Sequence, residues 1–263
     1  MTVNNEVAAI EMSLWDIEPT LLQSAFIDIQ EDDLHLRISK TFSLAGANKV
    51  VRSVFTTNPD ERIKYVFDLF AAYKRPFTWW VGPKSHPADL CNRLKERGMW
   101  SESEYVGMCF DLRSNPPDHT AERWKVEEAC TDEQLLGHAY INASLWGGLD
   151  SLQEAVEDRK QYMALQDRRG GYLVVKIDDK YVGNASYRYS LDGRVLYLQG
   201  GSVLPPYRGK GIYHSLLSYR IAMARDRGCE VAVTIARKDT SAPILARYGF
   251  QSRAPYTRLV TAE

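Results

Sequence analysis

The 263-residue sequence lacks the features that mark several large classes of protein. No apolar run approaches the roughly 18 residues needed to span a bilayer. Neither sign of charge is in surplus, because 33 Lys and Arg stand against 34 Asp and Glu. Binding to nucleic acid or to a membrane surface favours a basic surplus or cluster, so we expect neither partner. Residues 1–15 contain Glu6 and Glu11 and no basic start before an apolar core, which argues against a secretory signal.

Cysteine is scarce and its spacing is uninformative. The four cysteines are far apart in the chain, with no CxxC pair, and there is no HExxH motif or other spacing typical of a metal site. We therefore expect reduced thiols in a cytoplasmic protein and no metal cofactor.

Composition and length indicate one large or two small globular domains. The chain is 44% hydrophobic and 25% charged, which is ordinary for a globular protein. Residues 113–120 contain Pro116 and Pro117 among polar residues, and this predicts a linker. We place a boundary there, which divides the chain into domains 1–118 and 119–263.

Hydrophobic periodicity in the second half predicts a mixed α+β fold. Thr131 with Gln134, and Ser151 with Glu154, have the spacing of a capping box at the start of a helix. Runs of alternating apolar residues then predict a meander of three antiparallel strands. The expected elements are helices at 131–143 and 151–165, strands at 171–177, 181–190 and 195–203, a helix at 209–227, a strand at 231–235, a helix at 241–247 and a strand at 250–260.

The first half contains a weaker echo of the second. We expect a strand at 48–55, a helix at 60–73, a strand at 77–81 and a helix from Ser85 to Gly98. In both halves a strand is followed by Ser-x-Pro, a helix and a glycine. This order predicts two duplicated domains, each with a mostly antiparallel sheet flanked by helices.

The segment from Val203 to Tyr213 has the composition of an anion site. An apolar strand ends at two prolines, and Gly209 and Gly211 follow at the start of an amphipathic helix. The N–H groups at a helix start are unpaired and attract negative charge, and glycine permits close approach to them. Arg208 and Lys210 add positive charge, so the segment is suited to a pyrophosphate.

Three families of phosphate-binding protein place glycine at such a site. A P-loop requires glycine at position 204, which is Leu204, and a dinucleotide fingerprint requires it at 214, which is His214. The stretch 208–212, Arg-Gly-Lys-Gly-Ile, instead resembles the Q/R-x-x-G-x-G/A motif of the GNAT acyltransferases. The preceding stretch 200–205 resembles the fourth strand of that family, and 241–250 resembles its following helix.

This resemblance covers about residues 126–260 and has two departures. The last position of the motif is Tyr213 rather than Gly or Ala, so its ring must turn away from the phosphate. Residues 76–90 look distantly like the N-terminal half of tandem-GNAT proteins, but no Arg-x-x-Gly-x-Gly lies between Phe55 and Tyr65. The resemblance therefore implies a complete C-terminal domain and a degenerate N-terminal one without a cofactor loop.

The resemblance also implies which residues hold an acyl-CoA. The backbone of the family's fourth strand pairs with pantetheine, and an N–H of that strand, here that of Val203 or Leu204, polarises the thioester carbonyl. The implied contacts are Ser202, Val203, Leu204, Arg208, Gly209, Lys210, Gly211, Ile212, Tyr213 and Ser241.

The residues for proton transfer depart from the family pattern. Gln199 stands where many relatives carry Glu, so it can hold a water but cannot act as a base. Tyr197 is expected on the same strand face. Leu245 stands where a tyrosine often protonates the thiolate, and Tyr248 is the available substitute, with packing beside Gly249 as the alternative. His138 and His214 are also possible proton carriers, although a lone helical histidine is more often a packing or surface residue.

An acceptor site is expected around the turn between the first two helices of the second domain. We expect Trp146 and Asp150 to line it, with Tyr187, Tyr189 and Tyr197 as walls. The alternatives are that the tyrosines are core residues of the strands and that Asp150 caps a helix.

Together these residues predict an acyl-CoA-dependent N-acyltransferase, using acetyl-CoA or another acyl-CoA, that acts on a small-molecule amine. A non-catalytic acyl-CoA-binding regulatory module is the alternative, and a nucleotide-binding oxidoreductase is a more distant one. The acceptor, the acyl length, the oligomeric state and the role of the N-terminal domain stay open.

Overall fold

The structure is a computed structural model that describes residues 3–101, 103–114 and 124–261. The chain divides into two compact units, residues 1–108 with 235–263, and residues 109–234. The sequence-based boundary at 118/119 lies in the stretch 115–123, outside the described residues, and stays a prediction. That the last segment clusters with the first unit follows from its strand pairing, described below.

The first unit contains the N-terminal elements and the end of the chain. Their bounds are α1 (Val3–Met12), α2 (Pro19–Ala25), β1 (Phe26–Gln30), β2 (Leu34–Ser39), β3 (Lys49–Ser53), α3 (Pro59–Ala72), β4 (Thr78–Val81), α4 (Leu90–Glu96) and most of β5 (Glu104–Asp111). In order along the sheet the strands are β1, β2, β3, β4, the C-terminal strand β11 (Gln251–Val260) and β5.

The pairs β1–β2, β2–β3 and β4–β11 are antiparallel, and the pair β3–β4 is parallel. Strand β11 pairs antiparallel with β4, with Leu259 opposite Trp79, which joins the chain's two ends in one unit. The helix α3 starts at Pro59 and turns a stripe of Ile63, Val66 and Phe70 into the core. Leu259 and Trp79 belong to the same core cluster and are fully buried.

The second unit contains the remaining elements. Their bounds are β6 (Val126–Glu128), α5 (Asp132–Trp146), α6 (Leu152–Met163), β7 (Gly170–Ile177), β8 (Lys180–Tyr189), β9 (Val195–Val203), α7 (Ile212–Asp226) and the first part of β10 (Val231–Arg237). The last helix, α8 (Ser241–Tyr248), falls in the first unit.

Strands β10, β9, β8, β7 and β6 are neighbours in that order. Strands β7, β8 and β9 form the predicted antiparallel meander within about one residue of the expected bounds, and β10 is parallel to β9. Residues on each strand alternate between two faces. Asn184 and Ser186 face α5, whereas Gly183 faces Ile212 of α7.

Two helix starts test the capping predictions. Thr131 and Gln134 form the predicted capping box, with the Gln134 N–H donating to Thr131 Oγ1 over 3.3 Å. The prediction for Ser151 is wrong, because its side chain makes no cap hydrogen bond and residues 149–151 form a separate 3-10 turn. The chain turns tightly there and brings Ser151 to α6 with the wrong backbone angles for a cap.

The described residues therefore form the mixed α+β fold expected from the sequence. None of the helices in the described ranges is long and apolar enough to cross a bilayer. The four cysteines, all within the described ranges, form no disulfide.

Candidate functional site

Pairing between the parallel strands β9 and β10 covers only the first part of β9. Three residue pairs join them in register, the last being Val233 opposite Tyr197. Strand β9 continues for six further residues to Val203. Where this pairing ends, Thr234 Oγ1 donates to the carbonyl of Leu198 over 3.1 Å. The edge of β9 beyond Leu198 therefore has backbone groups that β10 does not pair within this unit.

A bulge in β9 lies just beyond the end of this pairing. Gly201 is opposite Ala185 and Gln199 is opposite Ser186, so Gly200 is an extra residue, with φ at +66°. This is a left-handed conformation that glycine adopts without a steric penalty. A bulge bends its strand and ends regular pairing, which accounts for the end of the pairing with β10.

A buried arginine on α7 holds the bulge. The Arg220 guanidinium is 1% exposed and donates to the carbonyls of Gly200 over 2.8 Å and Ser186 over 3.1 Å. Its Nε donates to the carbonyl of Leu216 in its own helix. Burial lowers the pKa of Arg220 to about 10, so the group stays charged at neutral pH. The sequence shows this residue only as a polar position on a helix.

The end of β9 presents one backbone N–H to its open edge. The Leu204 N–H donates to the Val182 carbonyl over 2.9 Å and is therefore occupied. Because bonded and non-bonded pairs alternate in an antiparallel ladder, the N–H of Val203 points to the other edge. Of the two donors expected from the sequence, geometry favours Val203. The Nε of Arg208 donates to the Val203 carbonyl over 3.1 Å.

The segment after β9 is a loop whose glycines are both left-handed. Gly209 has φ +75° and Gly211 has φ +84°. Helix α7 starts at Ile212 rather than at 209 as expected, because these two conformations are incompatible with a right-handed helix. The first helical bond runs from the Ser215 N–H to the Gly211 carbonyl, so the N–H groups of residues 212 and 213 have no acceptor within the helix.

Positive charge adjoins these N–H groups. Arg208 and Lys210 are exposed, and within residues 3–101, 103–114 and 124–261 neither forms an ion pair with a carboxylate. The Lys210 ammonium lies 5.2 Å from the centre of the Tyr207 ring. Trp124 Nε1 donates to the Lys210 carbonyl over 2.7 Å, a contact that sequence reasoning missed. The loop thus combines unpaired donors with two cations, as a pyrophosphate requires.

The ring of Tyr213 packs onto β9. A Cβ added to Gly201 would lie 3.2 Å from Tyr213 Cε2 and 3.3 Å from Arg220 Nη2. Glycine at 201 therefore makes room for both side chains. Burial raises the pKa of the Tyr213 hydroxyl, in keeping with a ring turned into the protein.

Three of the expected site residues share the face of β9 that looks towards α5. Tyr197 is opposite Arg188, Gln199 is opposite Ser186, and Ser202 is opposite Asn184. Tyr197 is 1% exposed and Gln199 is half-buried.

Trp146, at the end of α5, joins this face. Its Nε1 lies 3.4 Å from Ser202 Oγ, and the residue is 59% exposed. Asp150 is exposed in the turn that follows, behind Gly147 and Gly148, which both have positive φ.

Tyr187 and Tyr189 lie on the opposite face, and the structure does not bring them together with Trp146. Their rings are 5.6 Å apart, and Tyr189 lies 4.5 Å from the guanidinium of Arg227 at the end of α7. The Tyr187 hydroxyl donates to Glu128 over 2.9 Å. Burial, followed by the charge of Glu128, raises the pKa of Tyr187. Both pack on the α7 side, and their part in an acceptor site stays a prediction.

His138 is the centre of a buried network under α5. Its Nδ1 accepts from Arg159 Nε over 3.0 Å, so the proton is on Nε2, which lies 3.3 Å from the Ala185 carbonyl and 3.2 Å from Ser186 Oγ. Burial, followed by the charge of Arg159, lowers the pKa of His138 to about 3. The imidazole is therefore neutral at physiological pH and contacts Ala185 and Ser186 of β8, opposite the bulge in β9.

This network predicts a loss of stability in mild acid. A folded pKa of about 3 against an ordinary value of 6.5 means that the unfolded chain binds the extra proton, so stability falls as the pH drops below 6.5. The loss from His138 is about 2 kcal/mol at pH 5 relative to pH 7. The raised pKa of Asp158 acts in the opposite sense, since its folded form takes up a proton first.

Urea unfolding at pH 7 and pH 5 measures this loss. His138→Gln keeps a donor for the Ala185 carbonyl and is expected to unfold with a flatter pH dependence than the wild type. His214→Gln, on the partly exposed side of α7, is the matched control and is expected to keep the wild-type slope. An unchanged slope in His138→Gln contradicts the assignment.

The remaining expected residues lie in the first unit. Ser241 Oγ accepts from the Arg237 N–H over 3.0 Å at the start of α8. Leu245 and Tyr248 are buried, and the Tyr248 ring lies 6.3 Å from that of Phe250. The roles of Ser241 and Tyr248 stay predictions.

A bulged strand whose pairing with a parallel neighbour ends beside a glycine-containing loop is characteristic of the GNAT fold. Residues 137–250 match the profile of the Acetyltransferase (GNAT) family. No curated protein sequence matches the chain. Two solved structures are similar in fold to nearly the whole chain. One is a GCN5-related N-acetyltransferase from Kribbella flavida, with 17% identity and a TM-score of 0.70. The match covers 98% of this chain and 96% of that one. The other is a tandem GNAT protein from the clavulanic acid biosynthesis pathway, at 12% identity and TM-score 0.61, covering 99% and 94%.

At these identities the structures show the fold, and the family profile identifies the matched segment. Residues 137–250 are therefore similar to a GNAT acetyltransferase domain.

Proposed function

We propose that this protein is an N-acyltransferase that moves an acyl group, most simply acetyl, from acyl-CoA directly to the amine of a small molecule. The observation that carries the proposal is the open edge of β9 next to the loop of Gly209 and Gly211. The open edge of β9 offers strand backbone that can pair with an amide-bearing chain, and the loop offers N–H donors and cations that can bind a pyrophosphate. Both parts of acyl-CoA are matched in one unit.

The backbone of β9 supplies the electrophilic contribution. The N–H of Val203 points to the open edge and donates to the thioester carbonyl as negative charge develops there. The Arg208 guanidinium, bonded to the Val203 carbonyl, holds this end of the strand next to the phosphate loop. Positioning the thioester against the amine then supplies much of the rate.

Proton transfer is carried through water in this proposal. Gln199 faces the α5 side of β9 and orients a water that accepts the proton of the attacking amine. Tyr197 is buried beside it and fixes the strand face rather than exchanging protons itself. The departing thiolate takes a proton from water or from Tyr248.

The acceptor amine is proposed to bind by the turn after α5. Trp146 gives an exposed aromatic surface that touches Ser202, and Asp150 gives a carboxylate in the same turn. An aromatic face and a carboxylate attract an ammonium group, which then loses its proton before it attacks. We also propose a cytoplasmic location, in keeping with four cysteines that form no disulfide.

Arg208→Ala tests the cofactor site. We expect CoA to bind about tenfold more weakly, since one charge-assisted contact to phosphate is lost from an exposed site. The circular dichroism spectrum and melting temperature are expected to stay unchanged. Isothermal titration calorimetry with CoA measures the affinity.

Arg208→Gln separates the charge from the contact with Val203. Glutamine keeps an N–H donor for the Val203 carbonyl and loses the charge, so it is expected to bind CoA as weakly as the alanine variant. S-acetylpantetheine lacks the pyrophosphate, and its binding is expected to be insensitive to either change. Unchanged CoA affinity in both variants would falsify the phosphate assignment.

A non-catalytic acyl-CoA-binding module is the second candidate. It is favoured by Gln199, because an amide occupies the place where a carboxylate base is expected. Acetyl-CoA turnover measured across a panel of amines distinguishes the two. Tight CoA binding without turnover on any amine supports the regulatory module, whereas thiol release that depends on one amine supports the transferase.

A further inference from the structure

The first unit contains a gap between two parallel strands. β3 and β4 are paired at Lys49 with Thr78 and at Val50 with Trp79, and pairing resumes only at the bridge between Val54 and His86. The bridge is closed by backbone bonds of 3.0 Å from Phe55 to His86 and from His86 to Ser53. Between these two points the strands part and leave a cavity of about 120 Å³.

This cavity is not an acyl-CoA site. The helix that follows β3 begins Pro59-Asp60-Glu61, so two carboxylates lie where a phosphate would need cations. Ligand sites for drug-sized molecules usually exceed about 300 Å³, whereas cavities of about 150 Å³ hold a molecule the size of benzene. The occupant has about six heavy atoms.

Two opposite charges pair at the cavity, and a third charged side chain, Arg52, also lines it while its guanidinium donates to the carbonyls of Glu31 and Asp32. Glu11 from α1 lines it with a side chain that is 10% exposed, and Lys84 Nζ lies 3.0 Å from its carboxylate. The Lys84 side chain is 62% exposed, so the ion pair has a mobile outer member and a fixed inner one. Trp15 and Trp80 supply aromatic walls.

A tyrosine hydroxyl in the same lining has no partner. Tyr256 is 3% exposed, and its Oη has no hydrogen-bond partner among the described residues. Added Cβ atoms at Gly82 and Gly107 would each lie 2.6 Å from its ring, so the two glycines fix the ring between them. Burial, followed by the charge of Glu11 in the same lining, raises the pKa of Tyr256.

Hydroxyl donors exceed acceptors around the cavity. Ser85 Oγ and Ser53 Oγ each accept a protein N–H, from Gly82 and from Trp79, and each keeps a hydroxyl hydrogen to donate. Buried polar groups are rarely left unsatisfied, because each costs about 1 to 3 kcal/mol. A ligand that fits this cavity therefore accepts hydrogen bonds from the hydroxyls at one end, and its other end is compatible with the negative charge of Glu11.

We propose that this cavity binds a small zwitterionic α-amino acid of the size of glycine or alanine. Its ammonium group binds the Glu11 carboxylate beside the tryptophans. Its carboxylate accepts from Lys84 and from the hydroxyls of Tyr256 and Ser85. A zwitterion offers a partner to each member of the Glu11–Lys84 pair, which a simple carboxylate or a simple amine does not.

Calorimetric titration of the full chain with alanine and glycine tests this proposal without reference to acyl transfer. We expect both to bind, and acetate and ethylamine, which carry one charge each, to bind at least about tenfold more weakly. Tyr256→Phe removes only the unpartnered hydroxyl, so it is expected to weaken alanine binding about tenfold and to leave the melting temperature unchanged or higher. Tyr65→Phe, on α3 away from the cavity, is the matched control and is expected to bind alanine normally.

Three outcomes overturn the proposal. The first is that neither amino acid gives a heat of binding, so that the cavity takes water only. The second is that acetate or ethylamine binds as tightly as alanine. The third is that Tyr256→Phe keeps full affinity for alanine. Glu11→Gln is a second variant, expected to lose alanine binding without affecting CoA affinity. If the wild-type protein does not bind CoA, the proposed function of the second unit fails, but the test of amino-acid binding in the first unit still stands.

Discussion

Replacing Arg220 by leucine is expected to lower the free energy of unfolding by about 3 kcal/mol. The guanidinium is the shared partner of three carbonyls, those of Ser186, Gly200 and Leu216. Leucine fills part of the volume but donates nothing, so these hydrogen bonds to the fully buried side chain are lost. For a chain of this size the melting temperature should fall by roughly 6 to 12 °C, which thermal unfolding monitored by circular dichroism will show.

The same replacement is expected to weaken CoA binding, because the bulge at Gly200 shapes the open edge of β9. Arg225→Leu is the matched control on the same helix, since Arg225 donates to the carbonyl of Leu112, away from the bulge. It should lose about 1 kcal/mol of stability and no CoA affinity. If Arg220→Leu melts at the wild-type temperature, the buried contacts do not stabilise the fold as described.

Periodicity was sufficient to predict most elements of the second unit. Strands β7, β8 and β9 alternate apolar residues, and turns at Asp178-Asp179 and Asp192-Gly193 separate them, so local sequence determines both the strands and their antiparallel order. Thr131 and Gln134 likewise act within one helical turn. These are local interactions, which a single sequence displays.

Features that depend on register were not visible in the sequence. Tyr187, Tyr189 and Tyr197 look equivalent as alternating aromatics, but the pairing of Tyr197 with Arg188 places it on the α5 side and the other two on the α7 side. Only the register between β8 and β9, with its bulge, separates them. The choice between Val203 and Leu204 as a donor depends on the same register.

Long-range pairing was missed for a related reason. The end of the chain reads as a strand, but nothing local shows that β11 pairs with β4 rather than staying with the second half. The core cluster explains the result, since Leu259 is fully buried among residues of the first unit. Tyr256 of the same strand lines the cavity there, so the cavity requires both ends of the chain.

In each unit, two parallel strands pair over only part of their length, with different consequences. In the second unit the pairing of β9 with β10 ends at Tyr197 and Val233, and a glycine loop with two cations follows β9. In the first unit a bridge between Val54 and His86 lies beyond the ends of β3 and β4, and acidic residues start the next helix. The first arrangement suits a long phosphorylated molecule, and the second suits a short one.

Replacing Gly209 by valine is expected to weaken CoA binding on the order of 100-fold, or about 2.7 kcal/mol. Gly209 has φ +75°, a conformation that costs a β-branched residue about 1 to 3 kcal/mol. The loop must then change shape, and the N–H groups of residues 212 and 213 and the Arg208 side chain lose their common alignment on the phosphates. A Cβ at this position meets no protein atom within 4 Å, so the effect comes from the backbone rather than from a clash. Calorimetry with CoA measures it.

Two further variants show why Gly209→Val binds CoA more weakly. Gly228→Val introduces the same residue at φ +82°, also in open space but at the far end of α7, so it should cost similar stability and no CoA affinity. Gly209→Asn keeps a side chain at 209 that tolerates left-handed backbone, and it should recover most of the affinity. If asparagine binds CoA as poorly as valine, close approach of the phosphate to the bare backbone is the requirement rather than the angle. If valine at 209 binds CoA normally, the loop is not the phosphate site, and the open edge of β9 must be reassigned with it.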